Sequence, residues 1–547
     1  MTYRDCLSLG LALSFVALPA LTDEVPHVHP GDAEKLGTVV FPVSCNPAAQ
    51  EAFGRAVALI HSFWYDEAEK AFGEVAILDP TCAMAYWGIA MSNFHPIWAP
   101  PTPPELERGQ KAIAKAESLP VATNREKGFI AAIAAYYKDA ATRDHPARKL
   151  AFEAGMEKVH SENPQDREAA IFYALALLGA APPGDKTYAK QKLAGAILNE
   201  VLPGAENHPG VAHYLIHSFD YPQLASIGLP AARVYANIAA SSPHALHMPS
   251  HIFTRLALWD ESIASNIASR NAALEHVQKT KPGYASFDQL HALDYLAYAY
   301  LQQARDGDAK RVLEEVAAVD GLDLPNFAAA YALAAVPARY TLERRDWGAA
   351  AALTVRPASF PWTTYPYAEA LVHFARAVGG ARSANLGAAR DGLKRLTEIE
   401  AALVEAKDAF WAGQVDIQRL AAEGWIAKAE GRSDDARRLL RAAADLEDKT
   451  DKHPVTPGSV LPAREMLADL LLELGDAAAA LREYETSLVT APGRFNSLAG
   501  GTRAADKAGD RAKAAELFAA LQTLSAKGDG SRPELVALRI AYGRKPG

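Results

Sequence analysis

Histidines are unevenly distributed along this chain of 547 residues. Eight of the sixteen histidines fall between residues 208 and 291. A neutral imidazole offers a nitrogen lone pair, which makes histidine the commonest side-chain ligand of transition metals. The clustering therefore indicates a metal site in this part of the chain. The eight residues are His208, His213, His217, His244, His247, His251, His276 and His291.

The first group of histidines lies in the string HPGVAHYLIHSFD, residues 208–220. Pro209 and Gly210 predict the start of a helix, after which His213 and His217 lie one turn apart on the same face. Two imidazoles at this spacing can bind one transition-metal ion.

The second group lies in the string HALHMPSHIFTR, residues 244–255. Pro249 suits the first position of a helix, which places His247 at the cap and His251 in the first turn. Arg255 follows one turn later on the same face. This segment therefore adds two further imidazoles at the start of a helix.

Helix stacking would bring the two groups together. Residues 229–240 are predicted to form an outer helix between them, and the inner helices of successive pairs lie side by side in a repeat stack. The next inner helix is predicted to begin near Asp288 and carries His291 and Asp294. Three adjacent inner helices would then direct imidazoles and carboxylates at one patch, with enough ligands for one metal ion or two.

Our expected ligands divide into two sets, and a structural alternative applies to each. Single histidines often cap helices or form hydrogen bonds in a core, whereas two clustered segments favour a metal site. We expect His276, His145 and His453 at the surface. The first-choice ligands are His213, His217, His247 and His251; the further or second-site ligands are His208, His244 and His291.

The residue types suggest which metal and which reaction class the site would serve. Three histidine nitrogens with an open position suit Zn or Cu, whereas an added carboxylate would admit iron or manganese. Met248 would suit copper unless it packs in the core. A metal-bound water could pass its proton to Asp220 or Asp294, Tyr214 could protonate a leaving group, and Arg255 could bind a substrate carboxylate. The alternative for each of these four is a structural contact.

A repeat of helical hairpins sets the predicted architecture. From about Pro47 onward, a small residue is followed four positions later by a bulky one and eight positions after that by proline, on a period of 34 residues. The pattern resembles the tetratricopeptide-repeat (TPR) family over most of the chain. It predicts an all-α, TPR-like α-solenoid whose repeats stack into a right-handed superhelix. Its members include Ala68, Phe72 and Pro80, then Ala480, Tyr484 and Pro492, then Ala514 and Phe518.

Longer strings make the resemblance more specific. HPGVAHYLIH and HALHMPSHIFTRL, with HSFWYDEAEKAF at residues 61–72 and CAMAYWGIAMS at residues 82–92, are similar to a group of exported bacterial TPR proteins. The resemblance implies a helical repeat fold and a shared histidine-rich face. It implies no particular reaction.

Proline-rich segments interrupt the period and separate the predicted blocks. Each interruption either connects repeats or folds over the concave face as a lid carrying Trp98, Trp362, Tyr365 and Tyr367. The interruptions are residues 98–104, 181–184, 356–367 and 450–462. The predicted blocks are N-terminal repeats at 46–205, a histidine-rich block at 206–305, central repeats at 306–447 and C-terminal repeats at 461–530.

The N-terminus predicts export. Residues 1–22 combine Arg4 with an apolar stretch too short to span a bilayer, as in a signal peptide, which would send the chain to the periplasm or outside the cell. Cys6 lies within this segment. In an oxidising compartment the remaining pair, Cys45 and Cys82, would form a disulfide, although two buried thiols are equally compatible with the sequence.

Composition narrows the function classes. The formal charge of −9 and the absence of a basic stripe exclude a nucleic-acid surface, and no later apolar run has transmembrane length. Phosphate-binding, dinucleotide, serine-hydrolase and haem-attachment motifs are missing. Two hypotheses remain. One is a metal-dependent exported enzyme, hydrolase or oxidoreductase; the other is a non-catalytic TPR scaffold whose groove binds a small molecule, a peptide or a cell-envelope partner.

Overall fold

Helices joined by short connections make up the protein from Pro47 to Tyr542. The computed structural model describes residues 34–542, and over that range extended pairing is limited to an isolated bridge between Ala285 and Leu322. The helices are α1 (Pro47–His61), α2 (Tyr65–Leu78), α3 (Ala83–Ser92), α4 (Pro103–Ser118), α5 (Asn124–Tyr137), α6 (His145–Glu162), α7 (Arg167–Gly179), α8 (Ala189–Val201), α9 (Pro209–Phe219), α10 (Ala225–Ile238), α11 (Pro243–His247), α12 (Pro249–Arg255), α13 (Trp259–Thr280), α14 (Phe287–Gln302), α15 (Asp306–Ala317), α16 (Phe327–Glu343), α17 (Trp347–Ala351), a 3₁₀ turn (Trp362–Thr364), α18 (Pro366–Arg382), α19 (Leu386–Glu405), α20 (Ala409–Ala429), α21 (Ser433–Glu447), α22 (Ala463–Glu473), α23 (Ala477–Thr490), α24 (Phe495–Lys507), α25 (Arg511–Leu524) and α26 (Pro533–Tyr542).

Glycines on one helix receive the bulky repeat residues of the preceding helix. A Cβ added to Gly88 of α3 would lie 2.2 Å from Phe72 of α2, and one added to Gly500 of α24 would lie 2.3 Å from Tyr484 of α23. Because only glycine allows such close approach, these aromatic rings fill the groove between successive helices. Phe72 and Tyr484, the bulky members of the repeat pattern, thus pack between successive helices.

The helices stack in chain order. From α1 to α25 each helix packs against the next in the chain, α26 packs on α24, and alternate helices such as α14, α16, α18 and α20 also pack against one another. Short-range stacking of this kind defines a helical solenoid. The protein is therefore an all-α solenoid of TPR-like hairpins, as predicted.

Two large hydrophobic cores meet near the histidine-rich segments. The first core runs from Leu36 to Phe253, and the second from Trp259 to Ala504. Helices α9, α11 and α12 belong to the first core, whereas α14 belongs to the second. Residues from Glu34 onward nevertheless form one compact unit, so the boundaries of the four predicted blocks stay a prediction.

Two helix boundaries differ from expectation. The predicted outer helix at 229–240 is α10, which begins at Ala225 and contains Pro230 in its interior. The predicted cap at His247 is instead the last residue of α11, because Pro243 and Pro249 each start a separate short helix and Met248 precedes the second. His247 and His251 consequently lie on two helices.

The two cysteines of the described range pair with each other. Cys45 and Cys82 form a disulfide across 37 positions, with Cα atoms 5.1 Å apart. It joins the segment before α1 to the start of α3. The predicted signal peptide and Cys6 lie outside the described residues. Among the helices of residues 34–542, none is long and apolar enough to cross a membrane.

Candidate metal centre

The first histidine pair is positioned by the start of α9. The imidazole of His208 accepts a hydrogen bond from the Gly210 N–H and caps the helix, with Pro209 in its first turn. One turn apart on the same face, the rings of His213 and His217 lie with centroids separated by 4.8 Å. Both rings are buried.

The second segment brings its histidines to the same place through a break between two helices. His244 and His247 lie three positions apart on α11, and His251 lies in the first turn of α12. The ring centroids of His247 and His251 are 4.9 Å apart. The third helix, α14, adds His291, whose ring lies 4.2 Å from that of His247. The imidazoles of the three predicted segments therefore lie together, whereas the carboxylate predicted to join them from α14, Asp294, pairs with Arg339.

Six histidines form two groups that could each hold a metal ion. In each group, one nitrogen from every residue lies within 4.8 Å of the others. All six side chains are buried. The first triad is His213, His217 and His244; the second triad is His247, His251 and His291.

Hydrogen bonds fix the Nδ1 atoms of three of these rings. His213 Nδ1 lies 2.6 Å from the His61 carbonyl oxygen, His247 Nδ1 2.7 Å from Asn266 Oδ1, and His251 Nδ1 2.9 Å from Asp220 Oδ2. Each oxygen can only accept, so each Nδ1 must donate its proton. In metal sites the same arrangement orients a histidine and leaves Nε2 free to bind the ion.

The second triad contains two facing acceptor nitrogens. His247 Nε2 and His251 Nε2 lie 3.0 Å apart. With both protons on Nδ1 and both rings neutral, two lone pairs face each other without a hydrogen between them. The Tyr295 hydroxyl lies 3.3 Å from His251 Nε2, but its single proton can satisfy only one nitrogen. A cation between the two rings would satisfy both.

The first triad holds nitrogens that lack any hydrogen-bond partner among the described residues. These are His213 Nε2, His217 Nε2 and both ring nitrogens of His244. An unpaired polar atom in a buried site costs about 1–3 kcal/mol. Such a concentration of unpaired imidazole nitrogens is expected where a ligand supplies the missing interaction.

Electrostatics keep these imidazoles neutral. Burial lowers the pKa of every histidine in the two triads, and that of His213 falls to about 3. Desolvation is the main cause because it disfavours the charged ring. Neutral imidazole is the form that binds a metal ion.

A narrow cavity opens onto four of the six histidines. Its walls include His217, His244, His251 and His291, together with Met248 and the apolar side chains of Trp98, Phe327, Pro454 and Val455. The Trp98 ring centroid lies 5.1 Å from that of His244 and 5.9 Å from that of His291. Two of the predicted lid segments, 98–104 and 450–462, therefore cover the site.

The third lid segment lies farther out. Trp362, Tyr365 and Tyr367 do not line the cavity. Tyr367 stacks on Trp411 with centroids 4.0 Å apart, and Trp411 stacks on His453 at 5.0 Å. Segment 356–367 thus lies behind Trp411 and His453 and does not line the cavity.

His453 was expected at the surface, and this expectation is wrong. It lines the cavity, and burial lowers its pKa to about 3. Its position comes from the 450–462 connection, which returns to the histidines from a distant repeat. The other two histidines expected at the surface are half-buried: His145 contacts the Tyr136 hydroxyl at 2.9 Å, and His276 packs against Trp64.

Asp220 connects the second triad to two cations. Besides His251, it accepts hydrogen bonds from Arg255 Nε at 2.8 Å and from Lys452 Nζ at 2.9 Å. Arg255 also donates to the Asp220 backbone oxygen. These contacts make Asp220 an orienting partner of His251 instead of a free base. The Arg255 guanidinium is thus already paired with Asp220. This pairing differs from its predicted role, which was to bind a substrate carboxylate.

Two other predicted residues, Tyr214 and His208, make their side-chain hydrogen bonds outside the six histidines. Tyr214 donates to His61 Nδ1 at 2.9 Å, and Glu168 bridges His61 and His208 at 3.0 and 2.9 Å. This group could also hold a metal by distance, but its members already satisfy one another as a buried hydrogen-bond network. His208 and Tyr214 thus belong to a neighbouring network, which differs from their predicted roles.

Asp294 lies on α14 but serves another contact. Its Oδ1 accepts a hydrogen bond from Arg339 Nε at 2.8 Å, and both side chains are almost fully buried. Arg339 also donates to the Ser459 and Gly458 carbonyls. Asp294 therefore anchors the 450–462 connection, in contrast to the expected proton transfer at the metal.

Sequence reasoning missed the partners that orient the histidines. Asn266 lies on α13, and Lys452 lies in a proline-rich connection, where neither shows a recognisable spacing to a histidine. His61 orients His213 through its backbone carbonyl, a contact that no side-chain pattern can indicate. Only Asp220, three residues after His217 at the end of the first histidine segment, offered a usable signal.

Comparisons with known proteins indicate no function for this chain. No protein-family model and no curated protein matches this chain. The chain is similar to the crystal structure of yeast Tom70, with 11% identity, a TM-score of 0.33, and coverage of 90% of this chain and 95% of that one. It is also similar to the structure of Naa15/Naa10 bound to HypK-THB, with 10% identity, a TM-score of 0.21, and coverage of 90% and 91%. At these scores the similarities support no functional conclusion.

Proposed function

We propose that this protein depends on a transition metal bound by the histidines of the two triads. The observation that carries the proposal is the 3.0 Å contact between the Nε2 atoms of His247 and His251. Two nitrogens that each lie about 2.0–2.1 Å from one ion are roughly 2.9–3.4 Å apart. A shared ion therefore explains a contact that two neutral imidazoles alone would avoid.

The ligand types favour zinc or copper. All six candidate ligands are imidazoles, whereas carboxylate and carbonyl oxygens are preferred by magnesium, calcium and manganese. The nearest carboxylate, Asp220, contacts His251 Nδ1 at 2.9 Å and so acts on the ligand rather than as one. The donor set thus suits an ion that prefers nitrogen.

The surroundings favour chemistry on a small molecule. When bound, zinc would supply Lewis acidity, and copper would add one-electron chemistry. The chain itself would orient His251 through Asp220 and exclude bulk water with Trp98, Phe327 and Val455. Because the cavity is narrow, only small ligands would reach the histidines. Hydrolysis and oxidation-reduction are both compatible with this arrangement.

We also propose that the protein is exported to the periplasm or secreted. The pattern of residues 1–22 supports export. The Cys45–Cys82 disulfide is a second support, because structural disulfides form and persist in oxidising compartments.

Metal content tests the proposal. The full chain would be purified without added chelator, and its metals measured by elemental mass spectrometry beside His217→Ala, His251→Ala and the control His276→Ala, whose side chain lies outside the triads. We expect stoichiometric zinc or copper in the wild type and the control, and a loss in both triad variants. Negligible metal in all four proteins would overturn the proposal.

The alternative is a non-catalytic TPR-like scaffold for a peptide or cell-envelope partner. Its support is the solenoid of stacked hairpins, an architecture that commonly presents binding surfaces. This alternative would be supported if all four proteins lacked metal and had the same thermal stability.

A further inference from the structure

We infer that the two histidine triads bind two metal ions as a single dinuclear centre. This inference rests on the proposed function, since it requires that the triads bind metal. It goes further in assigning the number of ions and the sharing of one small ligand between them.

Spacing between the triads carries the inference. The ring centroids of His244 and His247 are 6.1 Å apart, and those of His217 and His251 are 6.2 Å apart. Within the second triad, the His251 and His291 rings are 6.4 Å apart. Rings of different triads are therefore no farther apart than the most widely spaced rings of the second triad. The six rings form a continuous cluster.

Chain connectivity fixes this proximity. His244 of the first triad and His247 of the second lie on α11, less than one turn apart. His217 on α9 faces His251 on α12. Because one short helix contributes to both triads, neither can move without the other.

A single ion cannot satisfy the whole cluster. The second triad has the facing pair His247 and His251, while the first triad separately holds four unpaired nitrogens on His213, His217 and His244. A tetrahedral ion takes four ligands, so one ion in either triad leaves unpaired nitrogens in the other. Two ions, each bound by three imidazoles, engage one nitrogen of every ring and keep a coordination position open on each ion; among the four unpaired nitrogens, only the second nitrogen of His244 is left without a partner.

The open positions would face a common space. His217 and His244 from the first triad and His251 and His291 from the second line the same cavity. Paired ions in proteins are typically about 3.5–4 Å apart, a separation that one or two atoms can bridge. Between the apolar walls formed by Trp98, Phe327 and Val455 the cavity has room for a ligand of about the size of water.

Copper(II) is a suitable probe because its unpaired electron reports on a nearby second ion. The full chain would be stripped with a chelator, titrated with Cu(II), and measured by elemental mass spectrometry and by spin-counted electron paramagnetic resonance. We expect two copper ions per chain. Magnetic interaction should remove the two-spin signal of isolated ions, leaving a silent spectrum or a half-field transition.

Variants of one triad at a time supply the matched comparison. His213→Ala and His291→Ala should each bind one copper and show the full one-spin signal of an isolated ion, whereas His276→Ala should behave as the wild type. Retention of the helical circular-dichroism spectrum would check folding. The wild-type titration tests the inference even if a variant does not fold.

The outcomes separate the two proposals. No bound copper would overturn the proposed metal dependence and the dinuclear centre together. One copper per chain, or two copper ions with an unperturbed two-spin signal, would leave the metal dependence standing and overturn the dinuclear centre.

Discussion

Lys452 lies 2.9 Å from Asp220, although 232 positions separate the two residues in the chain. Both side chains are largely buried, and Asp220 in turn orients His251. The contact joins residues 450–462, which we call the roof segment because they cover the cavity, to the carboxylate that holds His251. The roof and the second triad are therefore mechanically linked.

Loss of this ion pair should loosen the roof. Lys452→Met removes a hydrogen bond between charged groups, so we expect a loss of about 1–3 kcal/mol in the free energy of unfolding. Metal extraction by a chelator should become faster while the metal content of the untreated protein stays the same. Urea unfolding and stopped-flow extraction would measure both effects.

The control is Lys186→Met. Lys186 contacts Asp451 in the same roof segment but is more exposed, so we expect a change below about 1 kcal/mol. Equal effects of the two variants on metal extraction would contradict a specific role for Lys452.

Asp220→Asn should weaken metal binding without removing a ligand. The substitution replaces the carboxylate that accepts from His251 Nδ1. Loss of such an outer partner typically costs 10–100-fold in metal affinity. Competition with a chromogenic chelator would measure the affinity of the variant.

Asp294→Asn provides the contrast. Asp294 pairs with Arg339 and does not touch a triad histidine, so we expect lower stability with unchanged metal affinity. A larger affinity loss in Asp294→Asn than in Asp220→Asn would contradict the assignment of Asp220 as the orienting partner.

Reduction or removal of the disulfide should destabilise the first repeats. Cys45 and Cys82 close a loop spanning 37 positions, which contributes about 4 kcal/mol on the chain-entropy model. We expect Cys45→Ser/Cys82→Ser to unfold at lower urea concentration. Thiol titration of the wild type under denaturing conditions should detect no reactive thiol from this pair; two free thiols would show that the bond does not form.

Acid should remove a separate stabilising contact in the central repeats. Burial raises the pKa of Glu369, but hydrogen bonds from His373 and Arg395 outweigh it and lower the pKa to about 2. A carboxyl whose pKa is depressed by folding stabilises the native state above its unfolded value, and this contribution is lost as the pH falls from about 4.5 toward 2. Allowing for solvent screening at the partly exposed Arg395, we expect about 1–2 kcal/mol.

The test compares the wild type with Glu369→Gln in urea at several pH values. The difference in unfolding free energy should be constant above pH 5 and shrink as the pH approaches 2. Glu398→Gln, which removes an exposed partner of Arg395, should show a small difference that does not change in the same way. A constant difference for Glu369→Gln over the whole range would contradict the predicted coupling.

Local patterns predicted the fold and much of the histidine cluster. The i, i+4 spacing of His213 and His217 and the repeat positions of Phe72 and Tyr484 depend on helix periodicity, which is visible in a single sequence. Stacking of neighbouring helices then accounted for the approach of His251 and His291. These features involve contacts between adjacent repeats.

Contacts between distant segments could not be predicted in this way. Lys452 and His453 reach the histidines through an irregular connection whose path depends on packing across the two cores. The pairing of Asp294 with Arg339 joins the neighbouring helices α14 and α16, but it required knowing which polar side chains meet where these helices pack. Helix periodicity shows which residues share a face but not which polar side chains pair, so the pairing of Asp294 with Arg339 and of Arg255 with Asp220 was not predicted.

X-ray absorption spectroscopy at the edge of the bound metal tests the central claim most directly. The protein would be measured as purified, with His276→Ala as the control for loss of an unrelated histidine. We predict a first shell dominated by nitrogen at about 2.0 Å with the multiple-scattering pattern of several imidazoles. A shell of sulfur, or of oxygen without imidazole scattering, would contradict metal binding by the two histidine triads.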